Sequence, residues 1–294
     1  MRLRLSLVGG FFLVFSAGLV RAGDYPEADL LVETTELAKP AIAKRFRVLD
    51  TRAKDKYLAG HIPGALWVNR DAWAKAFAAA PQLPVWETMI GDLGIKHSTP
   101  LIIYDDGCAK DAAHIWWILR YWGFEEVRLL NGGWHAWLSE GRSQDRSQPQ
   151  VKARGLRLRP IPARLAGKNQ MAELVQNRQE QIIDARSSAE FRGEVESGRR
   201  NGAIPTAKHL EWSTAIDSQT LRFKSAEELA RLFRAAGIDP AQPAVTYCRS
   251  GECAAMVAFT LELMGAKNVR HYYQGWAEWA NAKGTRVAPE TKTK

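Results

Sequence analysis

Cys248 opens the stretch Cys248-Arg249-Ser250-Gly251-Glu252-Cys253, after the apolar, β-favouring run Pro243 to Tyr247. Ala254 to Met264 is rich in good helix formers. The pattern predicts a strand, a compact glycine-containing loop and a helix, with Cys248 at the strand end. Loop N–H groups and the positive end of the helix can converge there on one atom, which favours an anion. A thiolate is such an anion. A free cysteine titrates near about 8.5, so only a few per cent is ionised at neutral pH, and each unit of lowering takes about 1.4 kcal/mol of preferential anion stabilisation. Arg249 adds a full positive charge next door. The bland reading of Cys248 is a small buried hydrophobe; the strand, loop and helix around it weigh against that. A cysteine-dependent phosphatase wants an arginine six positions after the nucleophile, and Ala254 stands there. A redox or zinc half-site wants two cysteines separated by two residues, whereas Cys248 and Cys253 are separated by four.

The chain around this stretch has 294 residues, room for two ordinary domains. With 46% hydrophobic and 25% charged residues, its composition is globular. The first residues read differently: Met1-Arg2-Leu3-Arg4 is basic, Leu5 to Val20 is almost wholly apolar, and Val20-Arg21-Ala22 suits a signal peptidase. Residues 1–22 are therefore expected to be a cleaved signal peptide, and the mature protein to be exported, to a bacterial periplasm. A membrane contact is expected only if the signal is uncleaved, since the apolar run is short of the roughly 20 residues needed to span a bilayer. In an oxidising compartment cysteines pair or hide; Cys108, Cys248 and Cys253 are odd in number, so at least one stays unpaired within the chain. The formal net charge of +9 invites a nucleic-acid partner, yet Arg2, Arg4 and Arg21 leave with the signal. From Arg142 to Lys168 stand eight cations and one acid, Asp145, among prolines, serines and glycines. That stretch reads as a solvated linker, and no nucleic-acid partner is expected.

On either side of the linker the chain repeats itself. Arg47-Val48-Leu49-Asp50-Thr51-Arg52 matches Gln181-Ile182-Ile183-Asp184-Ala185-Arg186, and Gly60-His61-Ile62-Pro63-Gly64-Ala65 matches Gly202-Ala203-Ile204-Pro205-Thr206-Ala207. Pro100 to Tyr104 aligns with Pro243 to Tyr247, and Gly133-Trp134-His135-Ala136-Trp137 with Gly275-Trp276-Ala277-Glu278-Trp279. Residues 23–142, 143–168 and 169–288 are thus read as first domain, linker and second domain. Short apolar strands alternating with helices imply an α/β fold, each unit a parallel sheet flanked by helices on both faces. Ligands gather at the carboxyl ends of such strands, where Cys248 lies. In the first copy Asp105 takes the position of Cys248, in a loop one residue longer, and Cys108 comes three residues later, away from the equivalent focus of N–H groups. Trp116, Trp117 and Trp122 at helical spacing read as core and inter-domain packing.

Together these motifs resemble the rhodanese family of sulfurtransferases in its two-domain form, with an inactive first copy and a catalytic second copy. The resemblance implies transfer of sulfane sulfur: Cys248 takes sulfur from a small anionic donor, becomes a persulfide, and passes the sulfur to a thiol or cyanide. It implies no metal and no organic cofactor. Arg186 and Arg249 would hold the donor, with Ser250, Gly251, Glu252 and Cys253 completing the loop. Arg192 matches an arginine that grips the substrate carboxylate in the mercaptopyruvate branch, and His61 a histidine implicated in proton transfer, although a turn or surface role is open for each. Ser250 points to the mercaptopyruvate branch and Arg249 to the thiosulfate branch, with a slight lean to thiosulfate. Glu252 departs from the family by carrying a carboxylate and is read as facing outward, at the start of the helix. Cys253 replaces a threonine; it could donate to the reactive sulfur or close a disulfide with Cys248 or its persulfide form. The second turn, lacking the usual His and second Gly, is expected to be looser. The alternative is a catalytically detuned binding or redox-sensing module.

Overall fold

The computed structural model describes residues 25–288; the signal peptide expected over residues 1–22 lies outside them. The first domain runs β1 (Leu31–Val32), α1 (Thr34–Leu37), α2 (Pro40–Arg45), β2 (Arg47–Asp50), α3 (Lys54–Ala59), β3 (Leu66–Trp67), α4 (Arg70–Ala78), α5 (Leu83–Gly91), β4 (Leu101–Tyr104), α6 (Lys110–Tyr121), β5 (Val127–Leu130) and α7 (Gly133–Ser139). The second runs α8 (Lys168–Asn177), β6 (Gln181–Asp184), α9 (Ser188–Phe191), β7 (Lys208–His209), α10 (Ala226–Ala235), β8 (Ala244–Tyr247), α11 (Glu252–Leu263), β9 (Val269–His271) and α12 (Gly275–Asn281). The sheets have the orders β1-β5-β4-β2-β3 and β7-β6-β8-β9, with parallel pairing throughout.

The central strands β4 and β8 are buried at every residue, as a parallel sheet covered on both faces requires. Their side chains alternate between faces. Leu101, Ile103 and Ala244 join one apolar cluster shared by the two domains, whereas Ile102 and Tyr104, and likewise Val245 and Tyr247, join outer clusters belonging to one domain each. The shared layer is built by α6 and α11, which pack against each other. All ten residues from Ala254 to Leu263 are buried, so α11 is mostly apolar around its circumference, and its buried carboxylate, Glu262, is paired with Arg164. Trp116 meets Phe259 edge-on at 5.0 Å, and Trp117 meets Phe77 at 5.3 Å and His271 at 4.7 Å. The tryptophans of α6 are the packing material between the domains.

Two expectations change. Residues 143–168 are exposed at most positions, as a solvated linker should be, but they are not free: Asp145 exchanges two backbone hydrogen bonds with His61, the Arg154 N–H donates to the Gly91 carbonyl, and that of Ile161 to Tyr121. Between the exposed cations, Val151 and Leu156 pack on the shared core and Leu158 is buried. The cations face water because the apolar residues between them do not, and Lys168 already opens α8. The second turn is not looser either. Ala207 N–H donates to the Ile204 carbonyl at 3.1 Å, as Ala65 does to Ile62 at 2.9 Å. The shape is kept because Thr206 adopts φ +69°, where the first copy has Gly64 at +76°.

Candidate active site

Cys248 follows the last residue of β8, and its sulfur lies under the loop that leads into α11. The loop is tied down from α12: Trp276 N–H donates to the Cys248 carbonyl at 2.8 Å and Ala277 N–H to the Arg249 carbonyl at 3.1 Å. Only a glycine permits this approach, since a Cβ on Gly275 would stand 2.2 Å from the Cys248 carbonyl oxygen. Gly251 has φ +99° and turns its N–H onto Cys248 Sγ at 3.2 Å. A Cβ there would press on the Tyr273 ring at 3.0 Å. Cys248 is 3% exposed. Burial alone would oppose its ionisation, but hydrogen bonds from the Cys253 thiol and from the N–H groups of Ala254, Ser250 and Gly251 outweigh it and bring the pKa down to about 7. Cys253 moves the other way. Its proton is committed to Cys248, and burial adds to that, so its own pKa lies far above the usual thiol range.

The sulfur faces a cavity of about 460 Å³ whose walls include Arg249, Ser250, Glu252, Cys253 and Trp212. Arg249 reaches its rim, 57% exposed, with Nη2 at 3.4 Å from Glu190 Oε1. Glu190 is itself held by the Ser187 hydroxyl at 2.9 Å, the capping box that starts α9. Glu252 does not face outward: its carboxylate lines the cavity, 3.8 Å from Lys110 Nζ of the first domain. It is tolerated beside an anion site because α6 brings a cation to meet it. Lys110 also stands over the Trp212 ring at 5.9 Å.

Arg186 sits where the strand order placed it, beside Cys248, since Asp184 pairs with Tyr247 in register. Its guanidinium, however, is already engaged. Nε donates to Asp184 Oδ1 at 3.0 Å, Nη2 to Asp184 Oδ2 at 2.6 Å and to the Gly202 carbonyl at 2.7 Å, and Nη1 to Ser197 Oγ at 3.2 Å. Four of its five N–H bonds are thereby taken, and it is 3% exposed. The bidentate fork fits the aspartate two residues earlier on the same strand end, so Arg186 braces the cavity wall and leaves Arg249 as the arginine open to a donor. Arg52 makes the same brace in the first copy, with Asp50 and the Gly60 carbonyl.

A family model described as a Rhodanese-like domain matches residues 33–140 and again residues 168–282. The chain belongs to the rhodanese family. It is 30% identical over 280 residues to the sulfur carrier protein TtuD of Thermus thermophilus, and 30% identical over 275 residues to the thiosulfate sulfurtransferase of Azotobacter vinelandii. Each match covers 90% of this chain and 98% of the relative. The crystal structure of the 3-mercaptopyruvate sulfotransferase SseA from Escherichia coli superposes with a TM-score of 0.75 at 26% identity, over 85% of this chain and 99% of that one. The chain is a sulfurtransferase of the rhodanese type.

In this rhodanese the first copy of the loop carries a carboxylate where the second carries Cys248. The Asp105 carboxylate accepts from the N–H groups of Gly107, Ala109, Asp111 and Ala112 at 2.8–3.3 Å. Cys108 lies outside that cradle, and burial, aided by Asp105, raises its pKa. Arg192 is not among the cavity residues; it is 54% exposed and paired with Glu194 at 2.5 Å, because its helix, α9, ends one residue earlier and the chain turns it to solvent. His61 is buried, with Nδ1 2.9 Å from the Tyr57 carbonyl and Nε2 3.0 Å from the Ser147 carbonyl, so it holds the turn to the linker. The three cysteines are free thiols in this structure. Among the described residues no His, Cys, Asp and Glu cluster could hold a metal ion. Lys110 and Tyr273 escaped the sequence reading, since neither stands in a repeat motif; the one available signal was that a carboxylate in the loop calls for a cation, without saying which.

Proposed function

We propose that this rhodanese moves sulfane sulfur from a small anionic donor to a thiol or cyanide acceptor through a persulfide on Cys248. The observation that carries the reading is the Cys248 sulfur, 3.2 Å from the Gly251 N–H at the entrance to α11, with its pKa drawn down to about 7. With thiosulfate, the thiolate attacks the outer sulfur, a new S–S bond forms, and sulfite leaves with the electron pair of the broken one. The persulfide anion then rests in the same N–H cradle, and an acceptor attacks its outer sulfur to regenerate the Cys248 thiolate. With 3-mercaptopyruvate the leaving group is pyruvate. Thiosulfate is the favoured donor, because Arg249 is the open arginine at the rim and Lys110 offsets Glu252, whereas Arg192, the carboxylate grip expected for a mercaptopyruvate donor, is paired elsewhere. The relatives include a thiosulfate sulfurtransferase and a 3-mercaptopyruvate sulfotransferase.

The test is the intact mass of reduced protein after brief exposure to either donor. One sulfur gained, and none in Cys248→Ser, supports the persulfide and names the donor. No gain from either donor in folded, reduced protein would sink the reading and favour a binding or redox-sensing module, the role that Glu252 and Cys253 leave open. We also propose that the protein is exported by its first 22 residues to a periplasm; fractionation showing the unprocessed chain in the cytosol would overturn this.

A further inference from the structure

The cavity holds two thiols where sulfur transfer needs one. Cys253 is the second residue of α11 and lines the same wall as Cys248. It packs against the cluster that holds Cys248, and both are free thiols. Cys108, the remaining cysteine, belongs to the other domain's loop and a separate cavity.

We propose that Cys253 is a resolving thiol: when no acceptor arrives, it discharges the Cys248 persulfide as hydrosulfide and closes a Cys248–Cys253 disulfide. The proposal rests on the persulfide reading above and adds a second exit from it. The Cys253 sulfur attacks Cys248 Sγ, across the cavity wall that the two residues share. The bond between Sγ and the outer sulfur breaks, and the outer sulfur takes both electrons and the Cys253 proton to leave as HS⁻. The charge is −1 before and after. The sulfane sulfur is reduced to sulfide, and the two cysteine sulfurs are oxidised to a disulfide. An external thiol then resets the loop by exchange and is itself oxidised to a disulfide.

Two features make this exit slower than transfer to an acceptor. Burial keeps Cys253 protonated, and a protonated thiol is a poor nucleophile. The cavity is open at the Arg249 rim, so an external acceptor reaches the outer sulfur without rearrangement of the loop. The Lys110 ammonium, which favours negative charge on Cys253, supports the slow attack from the other domain. A charged enzyme left without an acceptor thus releases its sulfur and locks its nucleophile.

The experiment uses the full chain, reduced, under anaerobic conditions, with one equivalent of thiosulfate and no acceptor, sulfite being removed after loading. Released sulfide and intact mass are followed together. The expected course is gain of one sulfur, then its replacement by a species two hydrogens lighter than the starting protein, with about one hydrosulfide per chain. Peptide mapping without reductant then links Cys248 to Cys253. Cys253→Ser should keep the added sulfur and release at least about tenfold less sulfide. Wild-type protein that keeps its sulfur, with Cys253 still open to alkylation and no sulfide formed, overturns this proposal and leaves the persulfide reading intact. Equal sulfide release from Cys253→Ser overturns it too. No sulfur gained and no sulfide formed overturns the persulfide reading first, and this proposal with it.

Discussion

The loops after β4 and β8 are two uses of one anion cradle. In the first domain the acceptor is a carboxylate: Asp105 collects four backbone N–H groups, at the wall of a cavity of about 460 Å³. In the second, a sulfur takes that place, with Gly251 N–H at 3.2 Å, and a cavity stays open beyond it. The same strand, turn and helix hold a carboxylate in one copy and, on the function proposed above, a nucleophile in the other. The difference lies in one side chain at a strand end, and in whether the anion it supplies can be extended by another atom.

The comparison is broken most directly by Cys248→Asp, which places a carboxylate in the second cradle. Sulfur transfer should fall by at least about a thousandfold, because the attacking atom is gone. The chain should still fold, since the loop's N–H groups keep an anionic acceptor. Loss of cooperative thermal unfolding would mean that the two cradles are not interchangeable.

Ionisation gives the next largest contrast. A thiol with a depressed pKa reacts as thiolate above that value, so alkylation of Cys248 should rise through about pH 7 and then level. Cys108, whose pKa is raised, should keep gaining reactivity well into the alkaline range. At neutral pH the rates should differ on the order of tenfold, because the greater thiolate fraction at Cys248 is partly offset by its lower intrinsic nucleophilicity. Cys253→Ala deletes a donor to the thiolate, so the Cys248 midpoint should shift upward. Overlapping profiles for Cys108 and Cys248 would show that the second loop does not stabilise its anion.

The domains also cooperate across their interface, which Lys110 tests. Lys110→Ala leaves the Glu252 carboxylate facing an anionic donor, and kcat/KM for thiosulfate should drop about tenfold at low ionic strength, with most of the change in KM. Glu252→Val should restore much of it in the double variant, and added salt should narrow the gap. A loss that Glu252→Val does not repair would mean that Lys110 acts on something other than Glu252.

The repeat made the architecture legible from letters alone, because strand ends and turns carry the residues their geometry needs: Asp50 with Arg52, Asp184 with Arg186, and glycine at Gly133 and Gly275. Cys248 was legible for the same reason. What was not legible lies where side chains choose among partners. Arg186 was expected to bind the donor, but the aspartate two residues earlier claims its fork. Glu252 was expected to face outward, but its counterion comes from a helix more than a hundred residues away. Such pairings depend on how two domains close on each other, which no spacing within one domain encodes.

The smallest predicted effect concerns the turns. Gly64 and Thr206 share the left-handed conformation, at φ +76° and +69°, and a Cβ at Gly64 would meet nothing within 4 Å. The cost of a side chain there is therefore conformational. A β-branched residue in that region loses about 1–2 kcal/mol, partly offset because glycine frees the unfolded chain by about 0.4–1 kcal/mol. Thr206→Gly should therefore stabilise the protein by about 0.5–1 kcal/mol, and Gly64→Thr should destabilise it by a similar amount, both read from urea midpoints at unchanged slope. Opposite signs would establish that the second copy holds the first copy's turn against its own residue's preference. No change in either would mean that the turn relaxes around threonine, and that the left-handed conformation is not what ties these two turns together.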